Sequence, residues 1–252
     1  GKEEHPFEAR LHKINGKTFR LDNEEQAQAI VAAVQNVDFI AAEVKRRERR
    51  KNPLPPFTTS TLQQAASKRL RFSARRTMST AQRLYEGIEV GQRGPVGLIT
   101  YMRTDSTRVA PGAVEAARKW IKGEFGEDYV SPSPRLWSGK QQKAAQDAHE
   151  AIRPTSISRN PDAVKDFLTA EQLRLYTLIW SRMLASQMAD ARSEATTAEI
   201  EATCKESLKV YMFRATGSVL KFAGFRTLYL ESQDDTDDDD GRKTLPVLTV
   251  ND

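Results

Sequence analysis

The chain has 252 residues, 38% of them hydrophobic and 29% charged, so it can bury a substantial core as one large domain or two ordinary ones. Its longest apolar runs, Ala29 to Val34 and Phe39 to Ala42, fall far short of the roughly 20 residues that span a bilayer, and no charged-then-apolar leader opens it, which argues against membrane insertion and secretion. The net charge is +5; six acidic residues gather between Asp234 and Asp240, and the rest of the chain sets 39 basic residues against 28 acidic ones.

The basic excess concentrates in Lys45 to Lys51 and in Lys68 to Arg76, which suggests a polyanionic partner, although such runs are commonly no more than solvated faces. A single cysteine, Cys204, excludes an internal disulfide framework and any multi-cysteine zinc site, and points to a reducing cytoplasm; it reads as a small strand residue.

From Asp22 to Val37 the apolar residues Ile30, Val31, Val34 and Val37 recur at helical spacing, with Asp22 or Asn23 as N-cap. Phe39 to Arg50 suits helix or strand, and we read it as a strand. The run Asn52-Pro-Leu-Pro-Pro56 stops any regular element and reads as a domain border. Beyond it, Thr59 or Ser60 can cap a helix carrying Leu62, Ala65, Ala66 and Leu70. Ser73 can cap a second one carrying Met78, Ala81, Leu84 and Tyr85 and ending at Gly87. So short a connection, crowded with basic side chains, resembles a helix-turn-helix pair.

Gly91-Gln-Arg-Gly-Pro95 is a turn signal, and Val96 to Met102 is apolar and β-branched enough for a short strand. Pro111 to Phe125 resumes helical spacing, Pro132 and Pro134 mark a loop, and Gln141 to Ile152 suits a helix. Thr169-Ala-Glu-Gln172 is a capping box opening a long helix through Leu173, Tyr176, Trp180 and Met183. After Met188 the texture turns to β-branched alternation: Ala195 to Ala202, Leu208 to Ala215 and Ser218 to Phe222 around Gly217, and Thr244 to Val250. The aspartate run between them suits an exposed hairpin tip, because adjacent like charges resist burial. No phosphate-binding Gly-rich loop and no H-E-x-x-H zinc motif occurs, so nucleoside triphosphate hydrolysis has no visible machinery.

Tyr101, read by its surroundings alone, is an ordinary half-buried aromatic on a short strand. If that strand persists to Arg103, side chains two apart face the same way and bring a permanent cation beside the phenol. Such a pair suits attack on a phosphodiester: a free tyrosine ionises only near pH ~10 and the phosphate is already anionic, so one guanidinium favours the phenolate and neutralises charge building on the phosphoryl oxygens.

The stretch Gly97-Leu-Ile-Thr-Tyr-Met-Arg-Thr-Asp-Ser-Thr107 is similar to the active-site motif of bacterial type IA DNA topoisomerases. The resemblance extends, in family order, through Pro56-Phe-Thr-Thr-Ser-Thr-Leu-Gln-Gln64, Ala81-Gln-Arg-Leu-Tyr-Glu-Gly87, Ala148-His-Glu-Ala-Ile-Arg-Pro154, Leu175-Tyr-Thr-Leu-Ile-Trp180 and Ala185-Ser-Gln-Met188. It continues more weakly through Ala215 to Phe225. It implies that Tyr101 is the nucleophile taking the 5′ phosphate of a broken strand and that Arg103 contacts the scissile phosphate. His149 is then a phosphate or nucleotide contact, with Arg153 one helical turn on as a further candidate; taken alone, His149 is an ordinary surface or core histidine. Gln82 lies near a DNA base by the resemblance and is an exposed helix glutamine by its own pattern. Asp105 orients Arg103 or the loop, and Glu150 can pair locally.

The resemblance also implies an α+β fold: an α-rich, helix-turn-helix-like (CAP-like) tyrosine domain over residues 56–188, inserted into a β-rich discontinuous arch domain formed by 1–55 and 189–252. It implies an ATP-independent enzyme that relaxes negative supercoils in the bacterial cytoplasm, at the nucleoid, with DNA, chiefly single-stranded, as partner. Mg²⁺ is implied for the full-length enzyme, bound by an N-terminal acidic domain that this stretch lacks; no D-x-D cluster accompanies Tyr101, no metal ligand is assigned here, and C-terminal elements of the same enzyme are also missing. The start at Gly1, without an initiator methionine, fits an excised portion that is inactive alone. The alternative is a non-catalytic helix-turn-helix-like DNA-binding module in which Tyr101 is structural.

Overall fold

The computed structural model describes residues 6–91, 94–137, 149–230, 245–246 and 248–250. It is α+β and divides into two compact units, one made of Gly1–Arg50, Arg192–Lys221 and Thr236–Asp252, the other of Lys51–Ala191 and Phe222–Asp235.

The first unit is built on a sheet of β1 (Arg10–Ile14), β2 (Phe39–Lys51), β5 (Ala191–Thr203) and β6 (Val210–Phe222) in the order β1-β6-β5-β2. β1 runs antiparallel to β6 with Arg10 opposite Arg214 and Ile14 opposite Tyr211, and a bulge between Leu11 and Lys13. One helix, α1 (Glu24–Val34), is capped by Asn23, whose side chain accepts from the Gln26 amide. Its Ile30, Ala33 and Val34 pack with Val37 against buried Ala202, Cys204 and Tyr211. The ambiguous stretch after it is a strand of 13 residues at the edge of the sheet. Its basic end is one way to keep an open edge from pairing with another chain, and the exposed pairs Lys45–Glu43 and Arg50–Glu48 add little stability.

Two expectations for this unit need correcting. β6 continues through Gly217 as one strand, lying between β1 and β5 in the sheet, where pairing to neighbours outweighs the low strand propensity of a glycine. Residues 245–246 and 248–250 form no strand; Leu245 and Leu248 instead plug the small core of Ala198, Ile200 and Ala215, and the Leu248 carbonyl accepts from Arg46. The aspartate run lies outside the described residues.

The second unit is organised by α6 (Ala170–Ala185), opened by the Thr169–Gln172 capping box and apolar on nearly every side: Leu175, Tyr176, Ile179, Met183 and Leu184 are fully buried. A helix of this kind belongs at the centre of a core, and α2 (Thr59–Leu70), α3 (Ala74–Glu86), α4 (Pro111–Phe125) and the short α5 (Pro161–Val164) all contact it. Each large side chain so buried contributes about 1.5–3 kcal/mol of transfer free energy. The cap of α2 is Thr58, not Thr59 or Ser60: Thr58 and Thr61 cap each other reciprocally. α2 ends at Arg71 in the left-handed region (φ 60°), and after Phe72 the Ser73 side chain caps α3. The whole connection between the paired helices is Arg71 to Ser73. α4 starts on Pro111 and stops before Gly126 (φ 97°), a conformation that favours glycine.

Among the described residues between α3 and α4, β3 (Ile88–Glu89) pairs with β4 (Pro95–Val96) in a minimal ladder.

Candidate active site

The expected strand from Val96 to Met102 is thus regular only at its first residue. Beyond Val96 the chain stays extended, but its partners change from residue to residue, so no ladder develops. Leu98 donates from its amide to the Leu84 carbonyl at 2.7 Å, and its own carbonyl accepts from the Thr155 amide at 2.9 Å. The Thr100 amide donates to the Arg153 carbonyl at 2.9 Å, and the Thr100 hydroxyl donates to the Ala151 carbonyl at 2.7 Å. On the other side of Tyr101, the Thr59 hydroxyl donates to the carbonyls of Met102 at 2.8 Å and Thr104 at 3.0 Å, and accepts from the Thr104 amide at 2.9 Å. Both neighbours of Tyr101 are therefore pinned through their main chains, one to the 151–155 segment and one to the N-terminus of α2.

Period-2 alternation survives without the ladder. Met102, Thr104 and Ser106 are buried, while Tyr101, Arg103 and Asp105 are exposed between them. This side-chain alternation of extended backbone presents phenol, guanidinium and carboxylate to the same solvent face. Tyr101 is 47% exposed, and its ring packs edge to face on Tyr85 of α3, with centroids 5.3 Å apart. Gln82, one turn earlier on α3, is partly buried, and its amide donates to the Glu86 carboxylate at 2.6 Å.

The helix expected over Gln141 to Ile152 lies mostly outside the described residues, and its end is not helical. From His149 to Pro154 the chain is extended, because its main chain is taken up by nonlocal partners: Ala151 donates to the Arg108 carbonyl at 2.9 Å and Ile152 to the Phe57 carbonyl at 2.8 Å. His149 and Arg153 therefore do not share a helical face. His149 is exposed, and its carbonyl accepts from Arg108. Arg153 turns inward and pairs with Glu150, both Nε and Nη2 donating to one carboxylate oxygen at 2.9 and 2.6 Å. Its remaining nitrogen donates to the Pro154 carbonyl.

Sequence reasoning missed Thr59, Thr100 and Tyr85. All three stand inside the quoted motifs, but only tertiary contact reveals what they touch. Near the basic connection, Arg76 pairs with Glu171 at the start of α6, which raises the guanidinium pKa and lowers that of the carboxyl through their hydrogen bond. Among the described residues no three His, Cys, Asp or Glu side chains come together as a metal-binding cluster. Nor, among them, is any helix long and apolar enough to cross a membrane.

A family model described as DNA topoisomerase matches residues 2–252. The structure of full-length topoisomerase I from Thermotoga maritima is similar to this one, with a TM-score of 0.71 and 34% sequence identity over 95% of this chain. The match takes in 36% of the Thermotoga chain, so this chain spans about a third of that protein's length. With a family match running from end to end and a shared fold at this identity, the chain belongs to the bacterial type IA DNA topoisomerase family.

Proposed function

We propose that this chain supplies the strand-cleaving tyrosine of an ATP-independent type IA topoisomerase that relaxes negative supercoils, with single-stranded DNA as its main partner in the bacterial cytoplasm. The observation that carries the reading is Tyr101 itself: a half-exposed phenol on a main chain pinned at both neighbours, with Arg103 on the same face. In the proposed step the Tyr101 oxygen attacks a backbone phosphorus and forms a 5′-phosphotyrosine ester. The bond from phosphorus to the 3′ oxygen breaks, and that oxygen leaves as a 3′ hydroxyl. The reverse attack reseals the strand. One ester replaces another at each stage, so no nucleotide hydrolysis is required.

Arg103 carries a permanent charge to the phosphoryl oxygens, where negative charge builds in the transition state. Exposed His149 lies on the segment that hydrogen-bonds to the extended Tyr101 segment and is proposed to contact a flanking phosphate. Gln82 is proposed to face a base from α3. Arg153 is already committed to Glu150, so its proposed part is to hold the segment that carries His149. The sheet unit is proposed to be the arch, interrupted by the tyrosine domain. Mg²⁺ belongs in this reading to another region of the enzyme, and the chain by itself is proposed to be inactive.

Covalent capture tests the reading. The chain is mixed with a labelled single strand and Mg²⁺, with and without the N-terminal acidic domain of the same enzyme supplied separately, and denaturation-resistant adducts are sought. An adduct that needs the added domain and disappears in Tyr101→Phe is the expected result. No adduct under verified domain association would leave the tight, basic α2–α3 pair as a non-catalytic DNA-binding module.

A further inference from the structure

A nucleophile must be held in its attacking orientation as well as charged, and the main-chain bonds around Tyr101 fix its Cα without fixing its ring. Among the described residues, no hydrogen bond restrains the Tyr101 hydroxyl, and nearly half of the side chain faces solvent. What bounds the ring is Tyr85, in the last turn of α3. The two rings meet at 5.3 Å with planes at 65°, the edge-to-face arrangement that aromatic quadrupoles favour.

The place of Tyr85 is in turn fixed against the Tyr101 segment by two independent contacts. Leu98 donates from its amide to the Leu84 carbonyl at 2.7 Å. Gly97 passes so close to α3 that a Cβ there would sit 2.7 Å from the Tyr85 carbonyl oxygen. The end of α3 is thus registered on the segment three or four residues before the nucleophile, and the Tyr85 ring projects from that end onto the Tyr101 ring. Neither ring is there to fill a core, since Tyr85 is itself 40% exposed.

We infer that Tyr85 is a positioning residue that confines the Tyr101 ring to its attacking orientation. This rests on the reading of Tyr101 as the nucleophile. The contact is made by the ring and not by the Tyr85 hydroxyl, so the conservative variant Tyr85→Phe preserves it, while Tyr85→Leu keeps bulk but loses the aromatic edge.

The test is single-turnover formation of the covalent adduct by the full-length enzyme at saturating single-stranded oligonucleotide, alongside the oligonucleotide Kd and the thermal midpoint. Tyr85→Leu is expected to slow adduct formation about tenfold, the cost of a loosened near-attack geometry, with Kd within about twofold. Tyr85→Phe is expected to react within about twofold of the parent. Three results would each overturn the inference: Tyr85→Leu reacting at the parent rate, Tyr85→Leu weakening Kd with an unchanged rate, which would make Tyr85 a base-stacking surface, or Tyr85→Phe as slow as Tyr85→Leu. The nucleophile reading fails on a separate observation, an adduct that persists in Tyr101→Phe.

Discussion

Arg153 and Glu150 form a largely enclosed ion pair, their side chains 14% and 20% exposed, three residues apart on an extended segment. A pair shielded to this degree is worth keeping intact more than making anew, because removing one partner strands the other's charge. A DNA phosphate could recruit Arg153 only by displacing Glu150.

Arg153→Ala is accordingly expected to destabilise the protein by about 2–3 kcal/mol while leaving the salt dependence of single-strand binding as it was. Arg103→Ala is expected to do the reverse. Its exposed guanidinium costs little stability to remove, but loss of one phosphate contact lowers the slope of log K against log salt by about 0.7. Urea titrations and binding isotherms over a range of salt read both effects. A slope change in Arg153→Ala equal to that in Arg103→Ala would return Arg153 to the DNA surface.

The Gly97 backbone is a second point of high sensitivity. Because the missing Cβ would lie 2.7 Å from the Tyr85 carbonyl and not beside a flexible side chain, Gly97→Ala forces main chain apart. Its expected cost is about 1–3 kcal/mol, as for other overpacked sites, read as a lowered urea midpoint with an unchanged m-value. Adduct formation in the full-length enzyme should fall as well, since the same contact sets the distance from α3 to Tyr101.

Elements whose signals are local were legible beforehand. The Thr169–Gln172 box, the Ser73 cap and Pro111 at a helix start each act within four residues of themselves, and the structure carries all three; of the two caps expected for α1 it uses Asn23, and for α2 it uses Thr58, one residue before the expected Thr59 or Ser60. The extended path from His149 to Thr155 was not legible, because its hydrogen bonds go to Phe57, Leu98, Thr100 and Arg108, far away in sequence. β1 escaped notice for the same reason: the pairing that makes it a strand comes from β6, near the other end of the chain. Tyr101 stood out by motif alone. Nothing in its own residue type separates it from other half-exposed tyrosines, and the Thr59 hydroxyl and Tyr85 ring that distinguish its setting arrive only with tertiary structure.

Arg71 closes α2 in the left-handed conformation, which costs a non-glycine residue about 1–2 kcal/mol. Glycine would relieve that strain at an entropic cost of about 0.5–1 kcal/mol, so Arg71→Gly is expected to be neutral to slightly stabilising in thermal melts. An exposed arginine kept where glycine fits better points to use of its charge in the basic turn. Single-strand affinity of Arg71→Gly should therefore fall, with a salt slope lower by about 0.7. A variant that gains stability and loses no affinity would mark Arg71 as a solvated residue without a role in binding.

Tyr176 provides the pH prediction. Its ring is fully buried, its hydroxyl donates to the Arg159 carbonyl at 2.6 Å, and burial pushes its pKa upward, partly offset by the Arg159 charge. The folded state then keeps a proton that the unfolded chain releases near pH 10. Over that interval the unfolded state binds fewer protons, so stability is complete below about pH 10 and falls as pH rises above it, by at most about 1.4 kcal/mol per pH unit for this one group. Tyr176→Phe removes the titration and also the hydrogen bond, so it should start about 1 kcal/mol less stable at pH 8. Between pH 8 and 11 its urea midpoint should decline less steeply than that of the parent. Parallel declines would mean that the phenol reaches solvent in the folded protein, against its burial on the inner face of α6.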